Sequence, residues 1–209
     1  MATCNKKLLS LKTTFLVVIT LVKRASELAA LRSDPPYLQM HLDKVTLHSD
    51  VSFLPKVVSD FHLNQPIILP TLFPSPSTPI KCKLHTLDVK RALAFYLDRT
   101  KLFRRSLRLF ICYHGPNKGA SSQTISIWIE QTIQLTCQLS GKLIPDHLKV
   151  HSTRAFSTPT AVHCGIQIQN ICRAATLYNP LTFVKHYCLD VRAKNDAAFG
   201  RAILTSLLQ

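Results

Sequence analysis

Hydrophobic and polar positions divide the chain into stretches of different period. Residues 7–31 carry apolar side chains at helical spacing and predict one amphipathic to buried helix, stopped by Ser33-Asp-Pro-Pro36. From Tyr37 to Leu69 the period shortens: Leu38, Met40 and Leu42 alternate with polar neighbours, as do Val45 and Leu47, and Pro66-Ile-Ile-Leu-Pro70 closes the segment. That pattern predicts short strands with turns between them. Residues 70–81, rich in Pro and Ser, read as a linker or exposed loop.

The second half returns to helical spacing. Leu87 through Tyr96 places Val89, Leu93 and Tyr96 near one face. Leu107–Tyr113 predicts a strand, ended by His114-Gly-Pro-Asn-Lys-Gly119. Gln123 to Leu139 predicts a helix through Ile125, Trp128, Ile129 and Ile133, with Trp128 in the core and Gly141 at the C-cap. Three more helical segments fit residues 151–158, 166–175 and 180–188. The expected fold class is α+β, mainly α-helical, with a small antiparallel sheet. It forms a single domain over 1–209: helix and sheet to 70, the loop to 81, a helix-rich half to 190 and a tail from 191.

Charge changes the picture. Lys and Arg number 26 against 11 Asp and Glu, a formal net charge of +15. An excess of this size concerns partners rather than fold, and suits a polyanion such as nucleic acid or an anionic membrane surface. The run Arg99, Lys101, Arg104, Arg105 and Arg108 is either a solvated face or a set of phosphate contacts, and Lys118, in the Gly-Pro-Asn-Lys-Gly loop, is either a phosphate contact or part of a plain turn. The seven cysteines are odd in number, widely spaced and without a C-x-x-C pair, so neither a zinc site nor a disulfide framework is expected. His163 beside Cys164 has no second pair to complete a metal site. Lys6 and Lys7 before the apolar run Thr14–Val22 superficially copy a signal peptide. The run is too short to span a bilayer, lacks a small-residue cleavage site and continues into Ser26-Glu-Leu-Ala-Ala-Leu31, which favours a buried helix over a targeting or membrane-surface segment.

His151-Ser-Thr-Arg154 puts two basic side chains on one helical face, where they can converge on an anion. Alone this is a weak signal. It gains weight from Lys23-Arg-Ala-Ser-Glu-Leu-Ala-Ala-Leu31 at the end of an apolar helix, from the small sheet that follows, and from Gly165-Ile-Gln-Ile-Gln-Asn-Ile171 and Thr182-Phe-Val-Lys-His-Tyr187 in that order. Together these segments resemble the catalytic domain of the tyrosine recombinases, with the first arginine motif at Arg24 and the His-x-x-Arg box at His151 and Arg154. Through Ala92–Thr100, the His-x-x-Arg box and Phe199–Leu204, the resemblance is closest to recombinases of DIRS-type retroelements.

The resemblance implies DNA breakage and rejoining without metal or cofactor. Tyr187 would attack a backbone phosphate to form a 3′-phosphotyrosine, Arg24 and Arg154 would hold the phosphate, and His151 would assist proton transfer. A lysine of the small sheet would protonate the leaving 5′ oxygen, with Lys56 the first choice and Lys44 the second. Tyr178 lies too soon after Arg154 to compete with Tyr187. Arg99, Arg104, Arg105 and Lys118 would contact double-stranded DNA. The family also implies a nuclear, intracellular location and a homo-oligomer in a synaptic complex. Two departures stand out. Leu177 occupies a place where the family commonly has His or Trp, and the N-terminal core-binding domain of full-length relatives is expected to be missing. The alternative is therefore a decayed DNA-binding fragment that no longer cuts.

Overall fold

The computed structural model describes residues 5–55, 66–145 and 151–175. Lys56, Leu177, Tyr178 and Tyr187 lie outside the described residues, as do the helix expected over 180–188 and the tail.

The expected first helix is two. Helix α1 runs Lys6–Leu21 and α2 Ala25–Ala29, separated by a break at Val22–Arg24. Asn5 caps α1, its side chain accepting from the Lys7 N–H at 2.9 Å. Val22 ends the helix in the left-handed region (φ 55°, ψ 25°). That conformation is costly for a β-branched residue, so the break needs outside support. The support comes from the C-terminal helices, as the site shows. Leu9, Leu11, Val17 and Val18 are buried on α1, which packs against α4 (Val89–Thr100), α5 (Ser122–Leu139) and α6 (His151–His163). It is the central rod of the core.

Three short strands, β1 Leu38–Met40, β2 Lys44–Leu47 and β3 Ile67–Pro70, form an antiparallel sheet in the order β1-β2-β3. Val45, Leu47 and Leu69 are buried, so the alternation in the sequence marks the inner face of this sheet. The loop expected over 70–81 ends sooner, because Thr78 caps a further helix, α3 (Pro79–His85), with Pro79 in its first turn. Asp88 caps α4, which continues past Tyr96 to Thr100 and into a turn of 3₁₀-helix over Lys101–Phe103.

The strand expected over 107–113 does not form. Leu109, Phe110 and Ile111 are all buried, and the segment makes only isolated bridges, Arg32 with Arg108 and Ile111 with Gly119. Backbone bonds link it to residues 31–33 and 118–120, and side chains take up other groups that a continuous strand pairing would need. The Arg104 guanidinium donates to the carbonyls of Arg108 and Leu109, and the Ile111 N–H donates to Tyr96 Oη.

Helix α5 follows the expected spacing, capped by Ser121 at one end. Gly141 (φ 63°) closes the other, where the Lys142 N–H reaches the Cys137 carbonyl at 2.9 Å. Trp128 is 4% exposed and stacks on Tyr113. Helix α6 extends beyond 158, through Pro159, to His163, and α7 spans Ile168–Ala174. Val22 packs with Ile171, Cys172 and Ala175 in a small second core that joins α7 to the break in the first helix.

Candidate functional site

Arg24 occupies the N-cap position of α2 with extended backbone (φ −73°, ψ 155°). Glu27, three residues on, turns its carboxylate back. Its Oε2 accepts from the Arg24 backbone N–H at 2.6 Å, and its Oε1 lies 3.4 Å from Arg24 Nη1. The Ser-Glu-Leu sequence thus places an acid where it can close the first turn of the helix. Glu27 is only 6% exposed, whereas the Arg24 side chain remains partly open.

Arg154 reaches the same place from α6. Its Nε and Nη2 donate to the Val22 carbonyl at 3.1 and 2.8 Å, and Nη2 donates to the Ala175 carbonyl at 2.7 Å. One guanidinium therefore ties the end of α1 to the end of α7 and satisfies the carbonyl exposed by the break. Arg154 Nη2 also stands 3.9 Å from Glu27 Oε2, an electrostatic approach rather than a hydrogen bond.

Lys23 completes the cluster. Burial lowers its pKa from the ordinary lysine value; the Glu27 carboxylate opposes this, and the Arg154 and Arg24 charges reinforce it. Lys23, Arg24 and Arg154 thus gather around the carboxylate of Glu27. Such an arrangement has positive charge to spare for an incoming anion.

Through Lys23 and Glu27 the cluster meets a cleft of about 880 Å³, which Arg24 and Arg154 do not themselves line. Lys23 and Glu27 line one side, Tyr37, His48 and Asp50 of the sheet region another, and Asn170 and Arg173 of α7 a third. Arg173 donates to Asn170 Oδ1 at 2.9 Å. Pro55 and Pro66, which flank the segment containing Lys56, both line the cleft. Lys44 is not among its lining residues; it pairs with Pro70 at the far end of the sheet. His151 opens α6, one turn before Arg154.

The expected basic face separates into two kinds of residue. Arg99, Arg105 and Lys118 are exposed. Arg104 turns inward, donating to Ser33 Oγ, Thr100 Oγ1 and the carbonyls of Arg108 and Leu109, with its guanidinium 5.8 Å from the Tyr96 ring. Burial lowers the Arg104 pKa.

Sequence reasoning placed Arg24 and Arg154 together and left Glu27, Lys23 and Arg173 without roles. The signal for Glu27 was its spacing from Arg24, and for Lys23 its position at the charged end of an apolar helix. Arg173 carried no signal beyond its charge. Among the described residues no group of His, Cys, Asp and Glu is placed to hold a metal ion, and no helix is long and apolar enough to cross a membrane.

No family model and no curated protein matches the sequence. Solved structures do match the fold. One is the XerH site-specific recombinase bound to its palindromic difH substrate in a post-cleavage complex: TM-score 0.63 at 12% identity, covering 94% of this chain and 47% of that one. The Tn1549 transposon integrase in complex with transposon right end DNA matches with TM-score 0.62 at 11% identity, over 90% of this chain and 57% of that one. The XerA recombinase matches with TM-score 0.55 at 14% identity, over 94% and 62%. The chain thus spans about half to three-fifths of the length of these proteins, and shares with that portion its mainly helical fold and small antiparallel sheet.

Proposed function

We propose that this chain binds double-stranded DNA and breaks and rejoins it through a covalent 3′-phosphotyrosine, as a site-specific recombinase or integrase. The observation that carries the reading is the meeting of Arg24 and Arg154 on Glu27, beside Lys23, at the edge of a large cleft. Residues so far apart in sequence have no local reason to converge, and guanidinium groups are suited to phosphate oxygens. The fold adds support, since two of the similar structures are of proteins bound to DNA.

In this reading Tyr187 is the nucleophile and His151 takes its proton. Arg24 and Arg154 stabilise the crowded phosphate as charge builds on it. A lysine protonates the leaving 5′ oxygen, Lys56 being the choice from sequence. The exposed Arg99, Arg105 and Lys118 hold the flanking backbone. A transposable-element origin of the DIRS type, a nuclear location and assembly of several copies on DNA complete the proposal. The second reading, a DNA-binding fragment that no longer cuts, is favoured by one observation. Arg154 is 5% exposed and directs Nε and Nη2 to main-chain carbonyls.

A nicked suicide duplex tests both. Under the first reading the protein forms a covalent adduct that survives denaturation, and Tyr187→Phe abolishes the adduct while still binding the duplex. Binding without any adduct from the wild-type protein selects the second reading. An adduct that persists in Tyr187→Phe rejects Tyr187 as nucleophile.

A further inference from the structure

We propose that Thr78, in the exposed segment between the sheet and α4, is a phosphorylation site for a proline-directed protein kinase that uses ATP. Phosphorylation there requires neither the cleft nor DNA, and stands apart from the recombinase reading.

A hydroxyl residue precedes proline at three places in the chain: Ser75-Pro76, Thr78-Pro79 and Thr158-Pro159. A kinase that selects proline after its target reads two physical properties. Proline has no backbone N–H, so it fits a pocket that offers that position no acceptor. It also drives the residue before it to extended backbone, the form in which a kinase cleft holds its substrate.

The fold separates the three. Thr158 lies inside α6, is 0% exposed and donates to the Arg154 carbonyl at 2.8 Å. A kinase would have to unfold the helix to reach it. Ser75 and Thr78 are at the surface, where every residue from Pro74 to Lys83 is exposed. Thr78 then differs from Ser75 in two ways. Its backbone is extended (φ −131°, ψ 158°), and Lys81 stands three residues beyond it, with Lys83 following. The third residue after Ser75 is the uncharged Thr78. An ammonium at that distance can pair with an acidic group beside the enzyme's cleft, a charge-assisted contact.

Reading Pro79 to Lys81 requires the first turn of α3 to open. That helix has seven residues and none of them is buried, so opening it uncovers no core. A helix so short has little stability of its own. Its far end is fastened separately. His85 Nδ1 bonds to the Phe73 carbonyl at 2.7 Å, and Arg91 donates to the His85 carbonyl at 3.0 Å. The first turn can therefore open while α4 stays in place.

In the transfer, Thr78 Oγ1 attacks the γ-phosphorus of ATP. The Oγ1–P bond forms, the bond from that phosphorus to the β–γ bridging oxygen breaks, and ADP leaves with the electron pair. The hydroxyl proton passes to the kinase's base. The product carries about −1.5 to −2 charge at neutral pH, beside Lys81.

The full chain, incubated with a cyclin-dependent kinase, magnesium and ATP and then mapped by mass spectrometry, tests the assignment. One phosphoryl group is expected, on Thr78, and Thr78→Ala should lose it. Pro79→Ala and Lys81→Ala should each be modified about 10-fold or more slowly, the effect of losing one strong contact with the enzyme. Being exposed, all three variants should melt with the wild type, so that a slower rate is not a folding defect. No incorporation, incorporation at Ser75 with Thr78 untouched, or an unchanged rate in Pro79→Ala would each overturn the proposal. Phosphate on Thr158 of the folded protein would overturn the selection by accessibility on which it rests.

Discussion

Arg154 donates twice to the carbonyl of Val22, at 2.8 and 3.1 Å, and so anchors α6 on the one point where the first helix of the chain comes apart. The two features explain each other. A valine in the left-handed region frees its carbonyl from the helix, and a buried guanidinium needs acceptors. The same turn brings Lys23 to the cleft and sets Arg24 at the N-cap of α2 beside Glu27. The proposed phosphate clamp is therefore also a structural joint.

That joint gives the first prediction. Arg154→Ala leaves the Val22 and Ala175 carbonyls without this donor and opens a space between α1, α6 and α7. Leaving buried polar groups unsatisfied costs about 1–3 kcal/mol each. We expect a loss of roughly 2–5 kcal/mol, or a Tm lower by roughly 5–15 °C for a chain of this size. Calorimetry checks it. A variant as stable as the wild type would mean that the guanidinium is not the strut described. Cleavage by Arg154 variants is thus informative only below their melting transition.

Glu27 gives the second. It is the buried carboxylate beside Lys23, Arg24 and Arg154. Glu27→Gln keeps an acceptor for the Arg24 N–H but removes the negative charge. Breaking a buried ion pair costs roughly 3–5 kcal/mol, less where one partner is partly open as Arg24 is, so roughly 2–3 kcal/mol is expected in urea denaturation. Phosphate or DNA should recover part of that loss by binding the uncompensated cations. A Gln variant whose stability is unchanged, or is insensitive to added phosphate, would contradict the charge balance drawn for the cluster.

These two residues also show what was legible in the sequence. The motif around Arg24 and the His-x-x-Arg box pointed to a shared site, and the short-period apolar positions marked the sheet. The break at Val22 was hidden, since no Gly or Pro announces it and its cause is a side chain far along the chain. The same holds for residues 107–113, whose apolar run looked like a strand. The Arg108 and Leu109 carbonyls are taken by Arg104, and the Ile111 N–H by Tyr96, neither of which is readable from local period. Charge counting could not tell Arg104 from its neighbours for a related reason, because net charge says nothing of where a guanidinium points.

Asp88 supplies a prediction about pH. Burial by itself would raise its pKa, but the backbone N–H groups of Arg91, Phe73 and Leu72, with His85 nearby, outweigh burial and hold it below the usual aspartate value. A carboxylate with a depressed folded pKa contributes stability above its unfolded pKa of about 3.9, and that contribution is lost as pH falls through the folded value. Asp88→Ala should therefore cost about 2–4 kcal/mol near neutrality, by removing a helix cap and leaving three amides unpaired. The gap between variant and wild type should narrow below pH 4. Denaturation curves across that range decide it; a gap that stays constant with pH would rule out an ionised Asp88 as the source.

The basic run around α4 offers the last test, because its members should respond differently to the same substitution. Arg99 and Arg105 are exposed, while Arg104 donates to Ser33, Thr100 and two carbonyls around the 107–113 segment. A residue that neutralises a phosphate releases about one condensed counterion, so removing it lowers the slope of log affinity against log salt by about 0.9. Arg99→Ala and Arg105→Ala should each reduce that slope by roughly this amount and leave stability within about 0.5 kcal/mol of wild type. Arg104→Ala should leave the slope unchanged and cost roughly 2–4 kcal/mol, since the carbonyls of Arg108 and Leu109 lose their donor. Salt titrations of DNA binding, paired with urea denaturation of the same three proteins, separate the roles. A reduced slope in Arg104→Ala with no loss of stability would place its guanidinium on the DNA. A full slope in both Arg99→Ala and Arg105→Ala would move the DNA contact to another face.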